Sequence, residues 1–176
     1  MSFLIYIILI SAIHYAKVIF DFNKDTDISQ WQEVNDDVMG GISTSTMTLT
    51  PEGYGLFKGR VSLENNGGFC SVRYYFNKIS TKAHSKVILK VKGDGKKYQF
   101  RIKRSRTDRH SYVAYFNTSG EWEDIEIKLE EMYPTFRGRD LDLPNFDHEY
   151  IEEVGILIGN KKPEQFDLLV DHISLK

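Results

Sequence analysis

The chain has 176 residues, a formal net charge of −2, and a composition of 41% hydrophobic and 27% charged residues. These values are typical of one soluble globular domain. They exclude a disordered chain, and they argue against a protein that tracks a nucleic-acid backbone, which would be basic. The single cysteine, Cys70, excludes an intrachain disulfide and a cysteine-cluster zinc site.

The N-terminus carries an apolar run from Phe3 to Ile13. Its length is typical of a signal-peptide core and too short for a helix that crosses a bilayer. No Lys or Arg precedes the run, and His14 occupies a cleavage position that prefers a small residue, so a first strand or a misassigned start codon are the alternatives. We interpret residues 1–16 as a signal-type segment before one domain at 17–176, and expect export or membrane association rather than a cytoplasmic location.

After residue 17, short apolar–polar alternations recur between Gly, Asn and Asp residues, and no amphipathic helix longer than two turns is evident. One helical turn is predicted at Ile28–Trp31, capped by Asp27. About ten short strands at this spacing indicate a sandwich or a barrel. In chain order, the predicted strands are Lys17–Phe22, Ile42–Leu49, Leu56–Leu63, Phe69–Phe76, Lys86–Lys92, Tyr98–Lys103, Tyr112–Phe116, Glu123–Leu129, Val154–Ile158 and Phe166–Leu175.

Three connections stand out. Asn65–Gly68 predicts a turn, because Asn and Gly tolerate a positive φ. Gly93–Gly95 predicts a tight hairpin between the strands on either side. Glu130–Tyr150 is long, polar and contains proline, and therefore predicts a long irregular connection of the kind that often carries function.

Charge is distributed unevenly, since residues 86–110 are strongly basic and residues 121–153 strongly acidic. One interpretation is a dipolar surface that attracts a charged partner. The alternative, which we favour, is that neighbouring strands neutralise each other through cross-strand ion pairs.

The segment Trp31–Gly41 places Asn35, Asp36 and Asp37 beside a double glycine. The glycines permit a sharp bend, and the carboxylates suit an arginine of a partner, a sugar hydroxyl or a hard cation. The alternative is an Asx-type turn that caps a strand end and binds no ligand.

Several long motifs follow one another along the chain. They are Val34–Gly41 with Ser43, Gly59–Phe69, Lys92–Gly95, Tyr98–Arg101, Pro134–Arg139 and Gly155–Ile158. In this order they resemble the complex I intermediate-associated protein family, from about Val18 to the C-terminus. The resemblance implies an all-β, jelly-roll β-sandwich of the galactose-binding-domain-like class. It also implies kinship with mitochondrial assembly factors of NADH:ubiquinone oxidoreductase, and the chain is most similar in style to bacterial members.

Arginines complete the set of candidate binding residues. Arg73 and Arg101 alternate with apolar residues and therefore face away from the core, and arginines of the long connection could converge on them. Guanidinium groups bind carboxylates or phosphates in a bidentate manner. The alternatives are a solvated surface or an ion pair with an acidic residue of the two glycine-rich segments. The candidate site residues are Asn35, Asp36, Asp37, Arg73, Arg101, Arg137 and Arg139.

No catalytic motif is present, and Cys70 lies in an apolar pattern that predicts a buried, inert thiol. We therefore predict a protein that is not an enzyme and that holds no cofactor and no metal. The first hypothesis is a module that acts through protein–protein interaction in complex assembly, with respiratory-complex or other membrane-assembly subunits as partners. The alternative is a carbohydrate-binding module of an exported protein. Nucleic acid is not an expected partner.

Overall fold

Strands dominate the part of the chain that a computed structural model describes, residues 16–176. The predicted N-terminal segment lies outside these residues except for Ala16. Within residues 16–176, no helix is long and apolar enough to cross a membrane. The strands are β1 Lys17–Asp21, β2 Trp31–Glu33, β3 Thr44–Leu49, β4 Gly55–Val61, β5 Cys70–Ser80, β6 Lys86–Lys92, β7 Lys97–Lys103, β8 Ser111–Asn117, β9 Trp122–Lys128, β10 Tyr133–Phe136, β11 Arg139–Asp140, β12 Tyr150–Ile158 and β13 Glu164–Leu175, with short 3-10 helices at Asp36–Met39, Glu64–Asn66 and Leu129–Glu131.

The strands form two antiparallel sheets. The six-stranded sheet has the order β3-β4-β13-β6-β9, and β1 also pairs with β13. The seven-stranded sheet has the order β11-β10-β8-β7-β12-β5-β2. On most inner strands, apolar residues that face the other sheet alternate with largely polar residues on the outer side, which is the pattern that two packed sheets require.

The core lies between the sheets, where Phe57, Leu89, Phe100 and Ile156 are fully buried. Trp31 is also buried, and its ring stacks on Tyr74 with centroids 5.2 Å apart. The expected burial of Cys70 is confirmed. Burial raises the pKa of its thiol to about 12, so the reactive thiolate is scarce at neutral pH.

Most predicted strands are confirmed to within a few residues, and β6 has the predicted bounds. The hairpin predicted at Gly93–Gly95 is wrong, because β6 belongs to the six-stranded sheet and β7 to the seven-stranded one. The turn instead crosses between the sheets. The Asp94 carboxylate holds it there by accepting hydrogen bonds from the Tyr98 hydroxyl (2.9 Å) and the Asp167 amide (3.1 Å).

One local prediction is confirmed and one needs correction. Ile28–Trp31 forms a single hydrogen-bonded turn, in which the Trp31 amide donates to the Ile28 carbonyl oxygen (2.9 Å) and Asp27 accepts a hydrogen bond from the Ser29 amide (2.8 Å); Trp31 then begins strand β2. The connection Glu130–Tyr150 is not wholly irregular, because β10 and β11 form a hairpin at the edge of the seven-stranded sheet. The two strands have only four and two residues, so they offer too few alternating positions to give a clear strand pattern in the sequence.

The charge asymmetry is explained in part by cross-strand ion pairs. The basic strand β6 lies beside the acidic strand β9. Lys86 Nζ lies 2.7 Å from Glu126 Oε2, and Lys90 Nζ lies 3.5 Å from Asp124 Oδ1. For these strands the favoured alternative, mutual neutralisation, is therefore confirmed.

Candidate functional site

The outer side of the seven-stranded sheet carries the main cluster of charged groups that lack close partners. Strand register places Arg73, Gly155 and Arg101 side by side on β5, β12 and β7. A neighbouring row brings Tyr75, Glu153 and Lys103 together on the same strands. We call this surface the basic face, defined by Arg73, Tyr75, Gln99, Arg101, Lys103, Tyr115, Glu153 and Gly155.

Several side chains of this surface are shielded from water although they lie outside the core. Glu153 is only 4% exposed and Gln99 only 7%, and the neighbouring Val113 is fully buried. Long Arg and Lys side chains can cover neighbouring residues with their methylene groups while their charged ends stay in contact with water. Charges on the basic face are therefore screened less than on an ordinary surface, and each unpaired charge costs more free energy.

Glu153 is the one carboxylate of the basic face, and its contacts are long. Its Oε1 lies 3.9 Å from Arg73 Nε, and its Oε2 lies 3.7 Å from Lys103 Nζ. Oε2 is buried and has no hydrogen-bond partner within residues 16–176. Burial raises the pKa of Glu153, and the nearby charges of Lys103, Arg73 and Arg101 only partly oppose that shift.

Arg101 has no carboxylate within 4.0 Å in the described part of the chain. Its Nη1 donates instead to the neutral Oε1 of Gln99 at 2.7 Å. Burial, followed by repulsion from Arg73, lowers the pKa of Arg101 to about 10. The basic face therefore contains three cationic side chains, Arg73, Arg101 and Lys103, and one carboxylate, Glu153.

Gly155 determines how closely strand β5 approaches strand β12. A Cβ at Gly155 would lie 2.9 Å from the Val72 carbonyl oxygen, a backbone atom of β5, and 3.5 Å from Arg73 Cγ. A side chain there would therefore push β5 away, whereas its contact with Arg73 would be an ordinary van der Waals one. The glycine itself is buried and leaves no side chain between the two arginines.

Tyrosine rings flank the charged groups. Tyr115 is 50% exposed, and Lys97 Nζ lies 4.1 Å from its ring centroid. Tyr75 lies on the other side of the cluster, with the Arg106 guanidinium 5.6 Å from its ring. Flat, partly exposed rings of this kind supply contact area for a peptide or a sugar.

The sequence-predicted arginines separate into two groups. Arg73 and Arg101 share one row of the basic face, as their alternation predicts. Arg137 lies exposed in the β10–β11 turn, with its guanidinium 5.4 Å from the Phe136 ring. Thr135 pairs with Ser111, which lies on the same side of β8 as Tyr115, whereas Arg139 pairs with Phe136. The register therefore places Arg139 on the side of the sheet opposite to the basic face. The expected convergence of the four arginines is not seen.

The three candidates of the glycine-rich segment also lie apart from the basic face. Asp36 is fully buried and accepts hydrogen bonds from the amides of Ser43 (2.9 Å), Gly68 (2.6 Å) and Phe69 (3.2 Å), and from the Ser43 hydroxyl. Both carboxylate oxygens accept hydrogen bonds inside the protein, so the buried carboxylate is not accessible to a ligand. Asp37 is exposed, and Asn35 Oδ1 accepts a hydrogen bond from Ser45 Oγ (2.7 Å).

Asp36 therefore joins two of the sequence motifs, Val34–Gly41 and Gly59–Phe69, inside the protein. Burial alone would raise the pKa of Asp36, but the hydrogen bonds from Ser43, Gly68 and Phe69 outweigh it and hold the pKa below its usual range. This geometry favours the structural interpretation of the segment over the ligand-binding one.

Sequence reasoning missed Glu153, Gln99 and Gly155. A signal was present in β12, where two glutamates and a glycine interrupt an otherwise largely apolar strand. A polar residue at an outer position of an inner strand is unremarkable by itself. The polar residue Glu153 becomes important only because the neighbouring strands β5 and β7 carry cationic side chains next to it.

A test of the Glu153 environment follows from its raised pKa. Glutamine imitates the protonated acid, so we expect Glu153→Gln to keep the free energy of unfolding or to raise it by up to about 1 kcal/mol at pH 7. Because the folded pKa is raised, wild type should gain stability relative to the variant as the pH falls from the folded value towards the unfolded one. Urea denaturation between pH 7 and pH 4 measures this difference.

The adjacent Glu152→Gln is the matched control. The Arg106 amide donates to Glu152 at 3.0 Å and lowers its pKa, so its charge stabilises the fold above the unfolded pKa. We expect the opposite pH trend for this variant. A marked loss of stability in Glu153→Gln at pH 7 would mean that the charge of Glu153 supports the fold.

Comparisons with known proteins agree with the fold and indicate a family. The sequence profile of the family described as Complex I intermediate-associated protein 30 matches residues 20–170. The mitochondrial protein of that name from Drosophila melanogaster is 24% identical over 184 residues, and that from Mus musculus 21% over 188 residues. The alignments cover 90% and 91% of this chain but only 62% and 56% of those proteins.

Solved structures with the same architecture include carbohydrate-binding modules. A family 11 module from Clostridium thermocellum, in complex with a β-1,3-1,4-mixed-linked tetrasaccharide, superposes with a TM-score of 0.68 at 15% identity, over 91% of this chain and 94% of that one. A family 29 module superposes with a TM-score of 0.55 at 10% identity, over 92% and 87%. At these identities the likeness concerns the fold, and it confirms the predicted galactose-binding-like jelly roll.

Proposed function

Because the chain belongs to the Complex I intermediate-associated protein 30 family, we propose that it is a non-catalytic module that binds a protein partner during the assembly of a larger complex. Respiratory-complex or other membrane-assembly subunits are the proposed class of partner, in keeping with the names of the mitochondrial relatives. The chain spans less than two thirds of those relatives, so the proposal concerns the domain that they share.

The observation that carries the proposal is the incomplete charge pairing of the basic face. Among the described residues 16–176, Arg101 hydrogen-bonds a neutral acceptor and has no carboxylate within 4.0 Å, and Glu153 Oε2 is buried without a hydrogen bond. A polar group shielded from water in this way costs free energy unless a partner satisfies it. Docking of a complementary surface would satisfy these groups and cover the flanking tyrosines.

Site-specific crosslinking tests the proposal. The photoreactive amino acid p-benzoylphenylalanine is placed at Tyr115, on the basic face, and in a control at Thr48, which is exposed on the six-stranded sheet. In native cells we expect discrete protein adducts from position 115 that position 48 does not give, with subunits of a membrane complex among them. Equal adducts from both positions, or none from position 115, would contradict the proposal.

Carbohydrate binding is the second candidate, favoured by the tyrosine rings on the same surface as Gln99 and by the carbohydrate-binding modules that share the fold. Tyrosine stacks on sugar faces, and amide and guanidinium groups bind hydroxyls. A glycan array probed with folded protein, alongside Tyr115→Ala, tests this candidate. Glycan binding that the substitution abolishes supports it, and a folded sample without glycan binding removes it.

A further inference from the structure

The basic face has a charge surplus that its own residues do not balance. Arg73, Arg101 and Lys103 share one carboxylate, Glu153, which lies 3.9 Å from Arg73 and 3.7 Å from Lys103 and forms no ion pair within 4.0 Å with Arg101 among residues 16–176. Lys103 Nζ also donates to the Asp108 carbonyl oxygen at 3.0 Å. Arg101 is therefore the cation with the least compensation.

We propose that the basic face binds a carboxylate of an acidic peptide segment, held between Arg73 and Arg101 above Gly155. This inference rests on the proposed function and names the chemistry of the partner. A guanidinium presents parallel N–H donors that match a carboxylate, and two of them stand on either side of a residue without a side chain. The carboxylate supplies the countercharge that Arg101 lacks.

Glu153 determines which class of anion the basic face favours. Its carboxylate lies in the next row of the sheet, beside Lys103, and its negative charge repels a second negative charge. A singly charged carboxylate is therefore favoured over a phosphate group, which carries nearly two charges at pH 7. The rings of Tyr75 and Tyr115 on both sides give an extended peptide further contact area.

The shielding of the face strengthens the interaction. Arg101 is partly buried, and burial together with Arg73 lowers its pKa to about 10. A bound carboxylate would favour the charged guanidinium and raise that pKa again. Attraction in such a shielded place exceeds that between exposed ions in water.

The experiment is an NMR titration of the whole chain with a short peptide of alternating Glu and Gly, and with the same peptide carrying Gln in place of Glu. We expect binding of the Glu peptide only, with amide shifts centred on residues 73, 101 and 155. Arg101→Gln should weaken the affinity about 10- to 100-fold, the usual effect of losing a hydrogen bond to a charged group.

Two further variants make the test decisive. Arg60→Gln is the matched control, because Arg60 is an exposed arginine on the other sheet, and it should leave the affinity unchanged. Glu153→Gln should tighten binding about 3- to 10-fold, because it removes the repelling charge from a site where like charges interact strongly. A purely structural role of these residues does not produce a gain. If Arg101→Gln does not fold, Arg73→Gln and the Glu153→Gln gain decide the outcome.

Equal affinity for the Glu and Gln peptides, or an equal loss in Arg60→Gln, would overturn the inference. Tighter binding of an oligosaccharide of glucuronic acid than of the Glu peptide would also overturn it in favour of an acidic glycan. If crosslinking at position 115 captures a protein while the Glu peptide does not bind, the inference fails and the proposed function stands. If the Glu peptide binds but crosslinking captures nothing, the proposed function fails instead.

Discussion

We expect the free energy of unfolding of an Asp36→Ala variant to be about 3–5 kcal/mol lower than that of wild type. The substitution leaves the amides of Ser43, Gly68 and Phe69 without their acceptor in the interior. Each buried donor that loses its partner costs about 1–3 kcal/mol, and the costs do not add fully because the segments relax together. Urea denaturation followed by tryptophan fluorescence measures the loss.

The lowered pKa of Asp36 adds a pH dependence with a defined sign. A carboxyl group whose pKa is depressed in the folded state contributes stability above its unfolded pKa, which is about 4 for Asp. That contribution disappears as the pH falls through the folded value. We therefore expect wild type to lose more stability than Asp36→Asn between pH 4 and about pH 2.

Asp37→Ala is the natural control, because Asp37 is the exposed neighbour of Asp36. It should change the free energy of unfolding by no more than about 0.5 kcal/mol. An Asp36→Ala protein as stable as Asp37→Ala would show that the buried carboxylate does not hold the two segments. In that case the ligand-binding interpretation of Asp36 would return.

Gly59→Ala should lower the free energy of unfolding by about 3 kcal/mol, although alanine usually stabilises a strand relative to glycine. The alanine Cβ would lie 2.2 Å from the Thr44 carbonyl oxygen and 2.8 Å from Ser45 Cα. These are backbone atoms of the paired strand β3, so β3 must move away from β4. The pairing that positions Ser43, a donor to Asp36, would be strained as well.

Thermal unfolding monitored by circular dichroism checks this expectation. Lys58→Ala is its control, since Lys58 is the exposed neighbour on the outer side of the same strand. We expect little change in the melting temperature for Lys58→Ala and a clear decrease for Gly59→Ala. An unchanged or higher melting temperature in Gly59→Ala would mean that β3 and β4 accommodate a methyl group without cost.

Local alternation was sufficient to predict most of the strands and the side of each strand that faces the core. Alternation with a period of two is a local property, so Val87, Leu89 and Val91 of β6 could be assigned to the core from the sequence. The same property places Arg73 and Arg101 on the outer surface. The motifs also indicated the family and the jelly roll, both of which the comparisons confirm.

Which strands are neighbours, and which charged side chains come together, could not be predicted from the sequence and are known only from the tertiary structure. The sequence of the consecutive strands β6 and β7 predicted a hairpin, yet the two strands belong to different sheets. Strand pairing depends on the burial of whole strands and not on the turn between them. The sequence around Asp36 allowed a ligand-binding role, but in the structure its carboxylate accepts hydrogen bonds from amides that lie 32 and 33 residues away along the chain. Glu153 becomes part of a site only because β12 lies between the strands of Arg73 and Arg101. A side chain's role depends on contacts that are distant along the chain, and no local pattern encodes them.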